Sequence, residues 1–166
     1  ENYTDETRHR IEESYVIEAF DSYGLSEMNG PGVSFECHLK NGLHVWEDSY
    51  ILEIIEPESD VPLPDGEMGE IVFTTLTKEA MPLIRYRTRD LASIIPEPCP
   101  CGRTHPRMAA IKGRSDDAVS ISGLIVFPSQ VEEALTPFPE MGANFRMLIE
   151  TDERGMDKWT LTIELK

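Results

Sequence analysis

The chain has 166 residues, 40% of them hydrophobic, which is enough apolar side chains to bury one ordinary core or two small ones. Its formal net charge of −16 at pH 7 argues against nucleic acid or an anionic membrane as a partner, because neutralising phosphate needs an excess of Lys and Arg. No apolar run approaches the length of a membrane span and no signal peptide opens the sequence, so we expect a cytoplasmic protein.

The first predicted elements are a helix and a strand. Thr4 can cap a helix over roughly 5–14, whose first turn carries acidic side chains where the helix dipole favours them. The apolar run 15–20 that follows predicts a buried strand. This strand leads into a loop with the sequence Asp21-Ser-Tyr-Gly-Leu-Ser-Glu27.

The residue types of this loop suit a nucleotide. The Tyr23 ring can stack on a base, the Ser26 hydroxyl can donate to a phosphate oxygen, and the Glu27 carboxylate can hold Mg²⁺ through oxygen ligation. Gly24 supplies a backbone position without the restriction of a Cβ. Alone, however, an aromatic residue followed by Gly at a strand end is more often a solvated turn.

The next stretch predicts a β-hairpin. After Asn29-Gly-Pro-Gly32, which forces an irregular backbone, two apolar-rich arms flank Asn41-Gly42, a strong signal for a two-residue hairpin loop. In that register Cys37 lies opposite Trp46, and Cys37 shares one face of the hairpin with His44. We therefore expect the side chains of Cys37 and His44 to converge.

Three cysteines and one histidine form a candidate metal site. The candidate ligands are Cys37, His44, Cys99 and Cys101. Such a Cys₃His set suits tetrahedral Zn²⁺ in a closed structural site, which has no open position for chemistry. His38 and His105 are alternates for the fourth ligand. The Cys-x-Cys spacing is tighter than the usual zinc-finger pair, and free buried cysteines are the competing interpretation.

Later segments predict an antiparallel sheet and then a second domain. The stretches 50–56 and 69–75 are alternating and β-branched, which indicates paired antiparallel strands. Pro128 opens a predicted helix over 128–135. Two further strands are predicted over roughly 144–151 and 158–166.

Three separated stretches resemble, in this order, the adenylate-forming superfamily of acyl- and aryl-CoA synthetases. They are Tyr23-Gly-Leu-Ser-Glu27, Arg85-Tyr-Arg-Thr-Arg-Asp90 and Gly113-Arg-Ser-Asp-Asp117. With Pro82-Leu-Ile-Arg-Tyr86, Cys99-Pro-Cys-Gly-Arg103 and Val126-Phe-Pro-Ser-Gln130, the resemblance narrows to the phenylacetate-CoA ligase family and covers nearly the whole chain.

This resemblance implies an α+β fold, with an antiparallel β-barrel-like subdomain followed by the start of a small α+β lid. Residues 1–112 would be the C-terminal part of the large adenylate-binding domain, and 113–166 the hinge and an incomplete lid. The chain would then be a fragment, since the family's phosphate loop and lid lysine fall outside it. We expect no ligase activity from such a fragment alone.

The resemblance also assigns roles to individual residues. Asp90 would accept from the ribose hydroxyls, Arg114 would hold the ribose or a phosphate, and Asp21 would lie at the adenine edge. Gly123 falls where the family passes the pantetheine arm of CoA. Asp116 would be the hinge residue whose backbone rotates and, with Glu27, would serve catalysis.

One position departs from the family pattern. Arg89 stands where the family usually has Gly, within Tyr-Arg-Thr-Gly-Asp. If that position requires a positive φ, we expect strain of about a kcal/mol or more at Arg89.

The activity implied is a two-step ligation of phenylacetate, ATP and CoA through an acyl-adenylate, with AMP and pyrophosphate as by-products. The expected partners are a small aromatic carboxylic acid, ATP and CoA, and the expected ions are Mg²⁺ and a structural Zn²⁺. Two alternative functions stay open, a superfamily ligase for another acid and a non-catalytic zinc-knuckle β module for protein interaction. The full-length protein could also form a homodimer.

Overall fold

A computed structural model describes residues 5–28, 30–121, 124–135, 137–152 and 155–165. The chain divides into two compact units, Glu1–Ser115 and Asp116–Lys166. The division predicted after residue 112 stays a prediction, although the strand at 113–114 pairs within the first unit. Among the described residues, no helix has the length and apolar character that crossing a membrane would require.

The first unit contains one helix and nine strands among its described residues. They are α1 (Asp5–Tyr15), β1 (Ser22–Leu25), β2 (Gly30–Glu36), β3 (Leu43–Val45), β4 (Tyr50–Ile55), β5 (Gly69–Thr75), β6 (Tyr86–Ala92), β7 (Ile94–Ile95), β8 (Arg107–Met108) and β9 (Gly113–Arg114). One sheet has the order β1-β2-β3-β8-β7 and the other has the order β4-β5-β6-β9. All of these pairings are antiparallel, as predicted.

Both sheets bury side chains in one hydrophobic core. Phe73 of β5 is fully buried, and the Tyr23 and Tyr50 rings pack against it with centroids 6.1 Å away. The other buried members are Met28, Val33, Leu43, Val45, Ile54, Ile71, Ala92 and Met108. Apart from Met28, which lies in the turn after β1, these side chains come from both sheets, so the two sheets fold as one body that can hold a site at a fixed geometry.

The second unit contains a short hairpin, a helix and a long hairpin. Its described elements are β10 (Val119–Ile121), β11 (Leu124–Val126), α2 (Pro128–Leu135), β12 (Met141–Thr151) and β13 (Asp157–Leu165). Pro128 begins α2, where its missing N–H costs nothing because the first helical turn leaves that donor unpaired. The predicted helix and the predicted pair of strands are confirmed.

The apolar run after α1 is not the buried strand that the sequence predicted. The helix continues through Tyr15, and Val16 adopts a left-handed φ of 53° that ends it. The Val16 side chain is 91% exposed, and residues 16–21 have no strand assignment in the described chain. The hydrophobicity of this run favoured a strand, but a strand also needs a hydrogen-bonding neighbour. Pairing with β2 begins only at Ser22, after the run has ended.

The hairpin between β2 and β3 forms, but its predicted register is wrong. Phe35 lies opposite His44, so the loop comprises residues 37–42 rather than Asn41-Gly42 alone. Lys40 and Gly42 both adopt left-handed φ angles, 49° and 84°, and the Lys40 N–H donates to the Cys37 carbonyl at 2.9 Å. This wider turn removes Cys37 from the ladder and from its predicted pairing with Trp46.

We predict that Gly42→Ala destabilises the first unit more than Gly66→Ala does. Both glycines have a positive φ, 84° and 92°, so both substitutions carry the left-handed penalty of about 1–2 kcal/mol. A Cβ at Gly42 would also lie 2.5 Å from Ile95 Cδ1 and 2.9 Å from the Met108 carbonyl, whereas Gly66 has nothing within 4 Å.

Urea unfolding followed by far-ultraviolet circular dichroism measures the two free energies. The expected loss of unfolding free energy is about 1 kcal/mol for Gly66→Ala and about 1–3 kcal/mol more for Gly42→Ala, because the methyl added at Gly42 overpacks a filled site. Equal losses would show that the loop relaxes and that the contact with Ile95 does not constrain it.

Candidate nucleotide site and metal site

The structure brings Tyr23, Asp90 and Arg114 together from three strands. The Tyr23 hydroxyl donates to Asp90 Oδ2 at 2.6 Å, and Arg114 Nη1 donates to Asp90 Oδ1 at 3.3 Å. Arg114 lies directly opposite Asp90 in the pairing of β9 with β6. Three of the predicted site residues therefore form one hydrogen-bonded group.

A β-bulge in β6 positions the Asp90 carboxylate. Glu70 pairs with Leu91 and Val72 pairs with Arg87, so a single residue of β5 faces the three residues 88–90. Within the bulge Arg89 adopts a φ of 69°. The strained conformation predicted at this departure from the family pattern is confirmed. Bulges of this kind bend a strand and re-aim the side chains that follow.

The buried Glu70 carboxylate ties the bulge to β5. It accepts from Arg87 Nε at 3.0 Å and Arg87 Nη2 at 2.5 Å, and its Oε1 also accepts from the Arg89 backbone N–H at 3.2 Å. Burial by itself raises the pKa of Glu70, but the hydrogen bonds and the charge of Arg87 outweigh it. The pKa is therefore lowered and the carboxylate stays ionised.

Three further hydrogen bonds stabilise the bulge. The Thr88 hydroxyl donates to the Ile71 carbonyl at 3.0 Å and accepts from the Asp90 N–H at 3.1 Å. The Ser115 N–H donates to the Arg89 carbonyl at 2.7 Å. The irregular backbone thus satisfies its polar groups through neighbours that the regular ladder would not have used.

Burial raises the pKa of the Tyr23 phenol, and its hydrogen bond to Asp90 and the charge of that carboxylate raise it further. The hydroxyl therefore stays protonated and donates to Asp90. The ring packs against Phe73 with an interplanar angle of 26°, which fixes its orientation. The predicted stacking of this ring on a base stays a prediction.

The loop after β1 is anchored at its end and exposed at its functional side chains. Ser26, Glu27 and Met28 form a 3₁₀ turn, in which Met28 is buried. The Tyr50 hydroxyl donates to the Met28 carbonyl at 2.9 Å, and Lys78 Nζ donates to the Glu27 carbonyl. The side chains of Ser26 and Glu27 stay exposed, which leaves them accessible to a ligand.

Gly24 lies at the point where the β1–β2 ladder changes register. The positive φ angles of this region belong to Gly30 and Gly32, at 91° and 111°. The predicted irregular backbone is therefore confirmed at 30–32, while Asn29 lies outside the described residues.

Asp21 is held by a different set of contacts. Its backbone N–H donates to Glu36 Oε2 at 2.8 Å, and Arg8 donates to both oxygens of Glu36 at 2.8 and 2.9 Å. Burial and the Glu36 charge raise the pKa of the Asp21 carboxyl. These contacts join the start of β1 to α1, and the predicted role of Asp21 at an adenine edge stays a prediction.

The remaining predicted residues fall in or next to the second unit. Asp116 is exposed and is the first residue of that unit. Gly123 lies outside the described residues, so its predicted place beside CoA has no structural account here.

The sequence reasoning missed Tyr86, Glu70 and Thr88. Burial raises the pKa of Tyr86, and the neighbouring Glu27 carboxylate raises it further, which places the phenol beside the candidate Mg²⁺ ligand. Glu70 carried a signal in the sequence, because it is a charged residue within the apolar strand Gly69–Thr75.

The four candidate metal ligands converge. One ligand atom from each of Cys37, His44, Cys99 and Cys101 lies within 4.8 Å of the other three. The Cys37 and Cys99 sulfurs are 3.8 Å apart, and Cys101 Sγ is 3.5 Å from His44 Nε2. Tetrahedral Zn²⁺ with Zn–S bonds of about 2.3 Å and Zn–N bonds of about 2.0 Å requires S–S and S–N separations of about 3.8 and 3.5 Å. These two distances fit zinc.

Arg107 fixes the two loops that carry the cysteines. It is buried, lies opposite His44 in the β3–β8 pairing, and donates to the carbonyls of Asn41 and Glu97. One of these carbonyls belongs to the loop after Cys37 and the other precedes Cys99. The convergence predicted for Cys37 and His44 therefore occurs, but through this clamp and the wider loop rather than through the predicted register.

The electrostatics of two cluster residues, His44 and Cys101, favour metal ligation. At Cys99 the backbone N–H of Cys101 lowers the pKa of the thiol, but burial and the side-chain hydrogen bonds to Cys101 and Cys37 outweigh it and raise that pKa. Burial lowers the pKa of His44, which keeps the imidazole neutral with a lone pair to offer. The backbone N–H of Arg103 is the main cause that lowers the pKa of the Cys101 thiol to about 7. Thiolate, rather than thiol, is the form that binds Zn²⁺.

Comparison with known proteins finds AMP-binding enzymes and CoA ligases that are similar in sequence. Residues 123–166 match the family of AMP-binding enzyme C-terminal domains. The chain is 44% identical over 166 residues to the phenylacetate-coenzyme A ligase of Thermus thermophilus and 48% identical over 167 residues to that of Aromatoleum evansii. The chain is homologous to phenylacetate-coenzyme A ligases. The aligned region is 99% of the chain and 37% of each of these two ligases.

The fold is also found in a solved acyl-CoA ligase. A crystal structure of 2-hydroxyisobutyryl-CoA ligase in its postadenylation state, in complex with R3-HIB-AMP, superimposes with a TM-score of 0.82 at 32% identity. The superposition covers 95% of the chain and 34% of that ligase. The predicted α+β fold is thereby confirmed, and it is the fold of the matching third of this acyl-CoA ligase.

Proposed function

We propose that the chain is the part of an ATP-dependent, AMP-forming ligase that holds the adenosine and carries the start of the lid, with phenylacetate as the acid. The hydrogen-bonded group of Tyr23, Asp90 and Arg114 supports this most directly. Tyr23 is 67 positions and Arg114 is 24 positions from Asp90 in the sequence, yet both contact the Asp90 carboxylate. Homology to phenylacetate-coenzyme A ligases along the whole chain supports the choice of acid.

In the proposed first step, the acid's carboxylate attacks the α-phosphate of ATP, and pyrophosphate leaves. Asp90 accepts one hydrogen bond at each oxygen, from Tyr23 and from Arg114, and each carboxylate oxygen has a further lone pair for a ribose hydroxyl. The protonated Tyr23 phenol and the Arg114 guanidinium hold the carboxylate in one orientation. The nucleotide is thereby oriented before the phosphate reacts.

Glu27 would hold Mg²⁺ through its exposed carboxylate, which fits the oxygen ligation that this ion prefers. A bound Mg²⁺ would neutralise negative charge that develops on the phosphates. The Lys78 ammonium, bonded to the Glu27 carbonyl, fixes the backbone beneath this carboxylate.

In the proposed second step, the CoA thiol attacks the acyl carbonyl, and AMP leaves. Asp116 is the proposed hinge residue between the two steps, supported by its place as the first residue of the second unit. Loop and domain motions of this kind serve enzymes in which one site performs successive reactions.

Replacing the carboxylate tests the adenosine site. Asp90→Ala in the full-length protein that carries this chain should weaken the binding of a fluorescent adenine nucleotide by about 10- to 100-fold, the worth of hydrogen bonds to a charged group. Asp65→Ala, which removes an exposed aspartate from a turn, is the control and should bind as the wild type does. Unchanged affinity in Asp90→Ala would leave the non-catalytic zinc-knuckle module as the better interpretation.

A panel of acids tests the reaction. With ATP, Mg²⁺ and CoA, the full-length protein should form a thioester and release AMP and pyrophosphate, with the highest kcat/KM for phenylacetate among aryl and short-chain acids. A higher kcat/KM for another acid would keep the ligase but correct its substrate. Release of pyrophosphate by the 166-residue chain alone would contradict the expectation that it is inactive by itself.

We also propose that Cys37, His44, Cys99 and Cys101 bind one structural Zn²⁺, supported by the separations that match a tetrahedral site. All four positions of the metal would be filled by protein ligands, so the metal would cross-link the 37–42 loop, β3 and the 99–101 segment without taking part in the reaction.

Metal analysis and cobalt substitution test this site. The protein should contain one equivalent of zinc, and Co²⁺ in its place should give the absorption bands of a tetrahedral thiolate site. His44→Ala and Cys99→Ser should lose both signals, whereas His38→Ala, which removes an exposed histidine next to Cys37, should keep them. Retention of one equivalent of metal in Cys99→Ser would exclude this ligand set.

A further inference from the structure

Glu70 is a carboxylate in a place where packing alone would select a hydrophobic residue. It lies in β5 between the buried Gly69 and Ile71, and its side chain has 0% exposure. Replacing a buried ion pair with apolar side chains is often neutral or stabilising, so such a charge is not needed for stability as such. The contacts of Glu70 therefore indicate its role.

The described side-chain contacts of Glu70 lie on β6, at Arg87 beside the bulge and at Arg89 within it. The carboxylate accepts hydrogen bonds from the Arg87 guanidinium and from the Arg89 backbone N–H. Arg89 Nη1 also lies 3.7 Å from Glu70 Oε2. The bulge removes the Arg89 N–H from the regular ladder, and the Glu70 carboxylate supplies the acceptor that the ladder no longer provides. It does so at a residue whose φ of 69° disfavours any side chain.

Asp90 is the next residue along the chain. Its carboxylate meets Tyr23 on one side and Arg114 on the other only because the bulge has displaced it from the register of Val72 with Arg87. A bulge free to relax would let Arg89 return toward a negative φ and would carry the Asp90 carboxylate with it. The position of this carboxylate therefore depends on the acceptor at Glu70.

We propose that Glu70 is a positioning residue for the nucleotide, which holds the strained bulge at Arg89 and thereby sets where the Asp90 carboxylate meets the ribose. This inference rests on the proposed adenosine site. Glu70 itself touches no substrate and acts through Arg89 and Asp90.

The test measures KM for ATP, kcat and fluorescent-nucleotide affinity in the full-length protein. Glu70→Gln should raise KM for ATP and weaken nucleotide affinity about 10-fold or more, the size of effect seen when one partner of a buried charged hydrogen bond is removed. The kcat at saturating ATP should stay nearly unchanged, because a substitution that acts on binding alone raises KM without lowering kcat. Glu53→Gln is the matched control, since Glu53 lies on β4 and has its own ion pair to Arg85. It should leave KM for ATP, kcat and the nucleotide affinity unchanged.

Rescue separates positioning from a general loss of structure. Arg89→Gly removes the strain of the positive φ, so Glu70→Gln/Arg89→Gly should recover most of the lost nucleotide affinity. Adding Glu70→Gln to Asp90→Ala should cause no further loss, because the carboxylate that Glu70 positions is already absent. A rescue that fails, or losses that add in full, would overturn the proposal.

Two comparisons keep the outcomes distinct. Normal affinity in Glu70→Gln together with weak binding in Asp90→Ala overturns this inference and leaves the adenosine site standing, whereas normal affinity in Asp90→Ala removes both. If Glu70→Gln does not fold, Glu70→Asp takes its place, since it keeps the charge opposite Arg87 but draws the carboxylate back from the Arg89 N–H. A folded Glu70→Asp with wild-type affinity for the nucleotide would likewise overturn the proposal.

Discussion

The ion pair between Glu70 and Arg87 is the constraint on which the candidate nucleotide site depends. A carboxylate without exposure must be paired and hydrogen-bonded, and Glu70 meets that requirement with donors from two residues of the neighbouring strand. The same contacts fix a backbone conformation that Arg89 would not adopt alone. The contacts of Glu70 with Arg87 and Arg89 thus stabilise the strained backbone at Arg89, and this backbone sets the position of Asp90.

Arg107 performs a comparable task at the cysteine cluster, on the other sheet of the first unit. There the guanidinium is the buried partner and two loop carbonyls are the acceptors, at Asn41 and Glu97. Loops have few packing contacts to fix them, so a buried planar donor that reaches two carbonyls sets their separation. Both candidate sites therefore consist of irregular backbone whose geometry is determined by one buried charged side chain in an adjacent strand.

The parts of the fold that sequence patterns predicted correctly are those with strong local signals. The helix at Asp5–Tyr15 has acidic residues at its start, α2 begins at a proline, and the paired strands β4 and β5 are rich in β-branched residues. The register of the hairpin depended instead on Lys40 adopting a left-handed φ and on the space that Ile95 leaves beside Gly42. Such features arise from contacts distant in sequence, which a local motif such as Asn-Gly does not encode.

The site followed a similar division. Tyr23, Asp90 and Arg114 could be identified because they occupy motif positions. Glu70 stands out as a charged residue within an apolar strand, but the sequence does not show which neighbours its carboxylate meets. The net charge of −16 gave information about large partners only. It disfavours a partner that presents many phosphates, such as nucleic acid, but it does not exclude a single nucleotide, which a few side chains can bind. At short range the Arg114 guanidinium lies beside Asp90, and Lys78 contacts the Glu27 backbone. Under the proposed function, Mg²⁺ would accompany the triphosphate, and the accessible Glu27 carboxylate would recruit that ion because the acidic field of the chain attracts cations.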